Sequence, residues 1–153
     1  MFLAAFKWVT WNTFLAVIPV ALAYAIYGIY RRSGGSPSTG GKVLIGGLGL
    51  VWLAFMPNTC YLLTEWRHYL EVIEVSDIQA AKVDAGAAVY LMSHTLFYAA
   101  YSGIGVLTFA LAIRPMVGIL RDTHSALWVW AIPFFIMMSV GVYLGLVLRF
   151  NSW

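Results

Sequence analysis

Four long apolar intervals organise the chain. Positions without a formal charge run for 23 residues between Lys7 and Arg31, 22 between Lys42 and Glu65, 29 between Asp84 and Arg114, and 24 between His124 and Arg149. A hydrocarbon core about 30 Å thick takes about 20 helical residues at about 1.5 Å each. Each interval therefore predicts one transmembrane helix, with spans near 10–30, 43–63, 85–113 and 126–148. The third has length to spare for tilt or projection. Together the intervals take 98 of the 153 residues, so the polar remainder is too short for a soluble domain and residues 1–153 read as one transmembrane helical unit.

The residues between and within the spans refine this picture. Pro19 and Pro133 fall inside spans 1 and 4 and predict kinks. Pro57-Asn58 near the end of span 2 predicts a local break, with Asn58 and Thr59 taking up freed backbone groups. The run Ser33-Gly34-Gly35-Ser36-Pro37-Ser38-Thr39-Gly40-Gly41 has the composition of a flexible linker. Ser76-Asp77-Ile78-Gln79 has the form of a capping box, which starts helix 3 near Asp77, above the bilayer, and Pro115 ends it near Ile113. Residues 66–75 alternate polar with apolar and are placed along the membrane interface as a short segment between helices 2 and 3. Gly141 and Gly145 form a GxxxG in span 4, and Ala99 with Gly103 repeats that spacing in span 3, marking two helix-packing faces.

Composition narrows the function classes. The chain is 62% hydrophobic and 10% charged, with a mean hydropathy of +0.84, against roughly half and a quarter for an ordinary soluble domain. A soluble globular enzyme, a disordered chain and a disulfide scaffold are excluded, and the lone Cys60 forms no internal disulfide. The net charge of +3 comes from basic residues that flank the spans as anchors, with no nucleic-acid patch among them. Trp8, Trp11, Trp66, Trp128, Trp130 and Trp153 fall near span ends, as interfacial belts do. Lys7 followed by an apolar stretch and Ala21-Leu22-Ala23 has the look of a secretory signal, but the apolar stretch continues to Tyr30, so a retained first span is expected. Five Lys and Arg flank the first and third links and four lie on the other side, which places both termini outside.

Four spans also impose a parity. The second link and both termini share one membrane face, which gathers Asn12, Asn58, Thr64, Glu65, His68, Asp84, Arg149 and Asn151 there as a structural polar cluster. Asp122 and His124 fall on the opposite face. Glu65 and His68 are three residues apart, a spacing that puts both on one helical face. It is also the spacing of di-iron carboxylate bundles, with Asp84 as the natural third ligand, but no second Glu-x-x-His follows and a hydrogen-bonded interfacial pair is the favoured reading. Arg149 either snorkels to headgroups or pairs with Glu65 or Asp84.

His94 lies ten residues past Asp84, about 15 Å deeper by helical rise, and is expected at mid-membrane. With Tyr98 and Tyr101 at helical spacings, it is a candidate proton relay or an axial ligand to haem or a chlorin pigment. The alternative is a neutral histidine bonded to a neighbouring helix. There is no Ser/His/Asp pattern, phosphate loop or HExxH, and Cys60 has no base within reach along its helix.

Three ordered passages resemble motifs of a known family. Trp11-Asn12-Thr13-Phe14-Leu15-Ala16-Val17-Ile18-Pro19 resembles W-N-L-F-L-A-x-I-P; the run from Phe55 to His68 resembles F-x-P-N-A-P-Y-x-x-T-D-x-x-H. Gly141-Val142-Tyr143-Leu144-Gly145 with Arg149-Phe150-Asn151-Ser152-Trp153 resembles G-x-Y-L-G-R-x-x-R-x-N-S-W-D. All three are similar to the domain-of-unknown-function 1361 family of bacterial polytopic membrane proteins. The resemblance implies that Asn12, Pro57, Asn58, Tyr61, Thr64, Glu65, His68, Arg149, Asn151 and Trp153 form one design. Cys60 stands where the family has Pro, Glu65 where it has Asp, and Leu146 where an Arg is usual, and the missing Arg weakens a catalytic reading.

The expectation is an all-α protein of a bacterial inner or intracytoplasmic membrane, acting as a non-catalytic accessory or scaffold subunit among other membrane proteins. Runners-up are a small transporter or proton-linked permease using His94, and a haem-, pigment- or metal-binding membrane protein.

Overall fold

The computed structural model describes the backbone of residues 2–146 and the side chains of residues 7–145. The helices are α1 (Phe2–Arg32), α2 (Thr39–Phe55), α3 (Pro57–Thr64), α4 (Trp66–Val72), α5 (Val75–Ala80), α6 (Ala85–Asp122) and α7 (Leu127–Leu146), with no strand among the described residues. Four stretches are long and apolar enough to cross a membrane: Lys7–Arg32, Thr39–Val72, Ala85–Asp122 and Leu127–Gly145. A helix satisfies its own backbone hydrogen bonds, so it can cross hydrocarbon where an open strand cannot.

Pro57 acts as the sequence pattern predicts. It divides the second span into α2 and α3, joined through Met56, and occupies the first turn of α3, where a missing N–H costs nothing. Asn58 Nδ2 donates to the Phe55 carbonyl at 3.0 Å and Thr59 Oγ1 to the Met56 carbonyl at 2.8 Å.

Most of the short segment 66–75 is the helix α4. Other boundaries differ. Helix 3 does not start at Asp77. The capping box lies two residues earlier than Ser76-to-Gln79 suggests: Glu74 is the N-cap of α5, and its N–H donates to Asp77 Oδ2 at 2.8 Å. That helix stops at Ala80, and α6 begins separately, capped by Asp84, whose Oδ2 accepts from the Ala87 N–H at 2.7 Å. Nor does Pro115 end the helix, which continues to Asp122 with Pro115 buried. A proline removes one backbone hydrogen bond, and packing beyond it holds the helix on course: Gly118 faces the Tyr27 ring, and Asp122 Oδ2 lies 3.7 Å from Arg31 Nη1. The Gly/Ser linker is largely structured. Gly34 and Gly35 make a left-handed turn at φ 62° and 79°, and Ser38 caps α2 from within the run.

The core is thin and built around α1. Ala23 and Ile26 meet Trp52 and Met56 of the second span, Ala112 of α6 and Met138 of α7; Ala16 meets Leu62 and Tyr101 in a second cluster. Small residues set the closest approaches, as expected where lipid removes the hydrophobic drive between helices. At Gly105 of α6, a Cβ would stand 2.9 Å from both Leu62 Cβ and the Thr59 carbonyl oxygen of α3. The GxxxG of α7 also packs on α3: Gly141 lies against the Pro57 ring, and a Cβ at Gly145 would meet the Tyr61 ring at 3.9 Å. Ala99 and Gly103 do not form the expected packing face. Both are exposed and Gly103 has open space where a Cβ would project; Gly105, two residues on, takes the role. Helix α7 is peripheral, with Met138 its only buried side chain among those described.

Candidate functional site

Glu65 sits at the joint between α3 and α4. Thr64 turns its hydroxyl back onto the Tyr61 carbonyl at 2.7 Å, and the Glu65 carbonyl accepts from the His68 and Tyr69 N–H groups as α4 begins. The joint directs the Glu65 side chain inward, where it is only 1% exposed. Neither carboxyl oxygen has a hydrogen-bond partner among the described residues.

Neutral polar groups lie near it. The buried Tyr101 hydroxyl of α6 is turned towards the Asn12 side chain of α1 and lies within electrostatic reach of Glu65 and Tyr61. A buried polar group left unpaired costs about 1–3 kcal/mol, and native structures hold only a few per hundred residues. A buried carboxyl with neither oxygen paired marks a candidate site.

His68 forms the edge of this region. Its Nε2 is 3.8 Å from Glu65 Oε2, and its Nδ1 is 3.3 Å from Oε2 of the exposed Glu71. Trp8 stands edge-on to the His68 ring at 6.3 Å between centroids and packs on Tyr101 at 5.8 Å. Arg67 is engaged with Glu71 at 3.0 Å. Tyr69 ties α4 to α6 through a 2.7 Å hydrogen bond between its hydroxyl and Thr95 Oγ1, and its ring meets Tyr98 at 5.5 Å.

The residues singled out from the sequence are thus only partly brought together. Glu65 and His68 are neighbours. Asn12 shares a groove with Asn58, whose amide is spent on the Phe55 carbonyl. Asp84 is committed to capping α6, and among the described residues no three His, Cys, Asp or Glu side chains converge as a metal site. Arg149, Asn151 and Trp153 lie outside the described residues.

Helices α1 and α6 run alongside each other from the Trp8–Tyr101 contact to the Arg31–Asp122 pair. His94 lies on α6, seven residues before Tyr101. It is partly exposed, its Nδ1 is 3.2 Å from the Tyr90 carbonyl oxygen, and its ring lies 4.2 Å from the Tyr90 ring. It does not share the buried surroundings of Tyr101.

Glu71, Tyr69 and Thr95 are part of this region and escaped the sequence reading. Glu71 is three residues past His68 and four past Arg67, a helical spacing legible in the chain. The Tyr69–Thr95 pair spans 26 residues and has no local signal.

A bundle of four stretches long and apolar enough to cross a membrane, packed around a thin core, defines a multi-pass α-helical membrane protein. The family model described as Protein of unknown function (DUF1361) matches residues 11–153, and the chain belongs to that family. No curated protein and no solved structure matches it.

Proposed function

We propose that the chain is a non-catalytic accessory or scaffold subunit of a bacterial inner or intracytoplasmic membrane, with both termini outside, that packs against one transmembrane helix of a larger membrane assembly. The observation that supports this reading is the position of α7. It touches the bundle along a narrow stripe: Phe134 stacks on Trp52 at 5.7 Å, Gly141 meets Pro57, and Gly145 approaches Tyr61. Beside that stripe a mainly apolar groove of about 630 Å³ stays open, bordered by Trp11, Asn12, Leu50, Asn58, Ile136 and Val140. Within lipid, helices associate through close packing and interhelical hydrogen bonds, not through apolar burial. A helix with one packed stripe and an adjoining groove that Asn12 and Asn58 help to line suits a second helix carrying a small polar residue.

Purification from native membrane in mild detergent tests this. The expected result is one membrane protein retained in constant stoichiometry, photo-crosslinked from position 136, and released by Val140→Trp, which fills the groove. A stable lone monomer whose position-136 crosslinks carry lipid alone would overturn it. Reporter fusions to both termini test the orientation; an inside location for either one contradicts it.

A further inference from the structure

We propose that Glu65 is a proton-binding site that exchanges with water through His68 and Glu71. The inference is independent of whether α7 docks a partner.

The geometry carries it. Glu65 is 1% exposed and neither of its oxygens has a hydrogen-bond donor among the described residues. Its surroundings from α6 and α1 are neutral: Tyr98 and Tyr101, then Trp8 and Asn12 against Tyr101. Tyr61 adds another neutral hydroxyl from α3. From α4 come Arg67, His68 and Glu71, and the Arg67 guanidinium is 3.0 Å from Glu71. A carboxyl so placed is poorly stabilised as an anion, and a proton is the smallest partner that removes the charge.

A route for that proton is in place. Imidazole accepts at one ring nitrogen and releases from the other. Here each nitrogen faces a carboxyl: Nδ1 the half-exposed Glu71 at 3.3 Å, Nε2 the buried Glu65 at 3.8 Å. A proton taken from water by Glu71 passes to His68 Nδ1, and the imidazolium gives its Nε2 proton to Glu65 Oε2. Exchange with water, which takes the proton from Nδ1 and returns one to Nε2 of the half-exposed ring, then restores the starting tautomer. One proton has left the water, Glu65 has gone from anion to acid, and His68 and Glu71 have regained their original charge. Trp8, against both His68 and Tyr101, covers the inner end of the route.

Infrared difference spectroscopy on the full chain in phosphatidylglycerol/phosphatidylethanolamine nanodiscs, stepped between mildly acidic and alkaline pH, tests the proposal. The expected result is a protonated-carboxyl carbonyl band that gains and loses intensity with pH, shifts in heavy water, disappears in Glu65→Gln and changes frequency in Glu65→Asp. His68→Phe and Glu71→Gln should keep the band yet slow its hydrogen–deuterium exchange by about a hundredfold or more, the lower end for a positioned proton-transfer group. Absence of any such band in the unaltered protein, its persistence in Glu65→Gln, or exchange unchanged in both His68→Phe and Glu71→Gln overturns the proposal. Should Glu65→Gln fail to fold, the Glu65→Asp frequency shift decides the assignment, and an unshifted band counts against it.

Discussion

The ring of Pro57 occupies the space that a side chain at Gly141 would need. One residue divides the second span; the other opens the GxxxG of the last. Their contact joins two of the family-like passages in space and fixes where α7 leans on the bundle. A proline ring cannot rotate away as a flexible side chain would. Gly141→Ala should therefore push α7 outward, costing about 1–3 kcal/mol, the usual range for forced overpacking. Gly145→Ala, whose new Cβ would meet the Tyr61 ring at an ordinary 3.9 Å, should leave the bundle intact. Thermal unfolding in matched detergent distinguishes the two; equal midpoints would show that Pro57 and Gly141 do not set this interface.

A second glycine pair separates apparent from actual packing on α6. Gly105→Ala places a methyl 2.9 Å from the Thr59 carbonyl oxygen, a backbone atom that yields only if α3 moves. Gly103→Ala meets open space. The expected outcome is loss of stability in the first and a small gain in the second, since alanine is the better helix former by about 1 kcal/mol. Comparable losses in both would mean that position 103 is covered by something beyond this chain.

These glycines show what the sequence can and cannot reveal. Four spans were legible because charge-free length is a one-dimensional property. The break at Pro57, and the roles of Asn58 and Thr59 in healing it, were legible because they depend on neighbours within three residues. Which glycine of α6 faces a partner was not, since Gly103 and Gly105 differ only in helical phase relative to helices distant in sequence. The inward direction of Glu65 was equally hidden: it depends on the turn between α3 and α4.

His94 is partly exposed, and its ring leans on Tyr90 of its own helix. His94→Leu should change unfolding stability by no more than about 0.5 kcal/mol, as exposed substitutions usually do. It should also leave partner retention and the absorption spectrum of protein purified from native membrane unaltered. Disappearance of a visible absorption band in His94→Leu would instead establish a haem or pigment ligand at this position.

The Arg31–Asp122 pair lies at the far end of the same α1–α6 contact. Its atoms are 3.7 Å apart and the side chains are 63% and 45% exposed, so water screens most of the attraction. Such pairs contribute about 0–1 kcal/mol. Asp122→Asn should barely move the unfolding midpoint, whereas Gly118→Leu, which crowds the Tyr27 ring, should lower it clearly. The reverse order would make the ion pair the determinant of helix register.

Tyr69 offers a test at the edge of the candidate site. Its hydroxyl and Thr95 Oγ1 are 2.7 Å apart, and Thr95 Oγ1 also donates to the Leu91 carbonyl at 2.8 Å. With its single proton committed to Leu91, Thr95 accepts and Tyr69 donates. Tyr69→Phe removes that donor while keeping the ring on Tyr98. The expected cost is about 0.5–1.5 kcal/mol, a typical net hydrogen bond. The loss should be local, because α4 is short and has no buried side chain of its own. Amide exchange should accelerate across Trp66–Val72 and stay unchanged in α1. Exchange at the Glu65 carboxyl should quicken as well if α4 opens as a unit, since His68 moves with it. Faster exchange spread evenly over α1, α3 and α6 would show that Tyr69 supports the whole bundle and does not act only as the tether of α4.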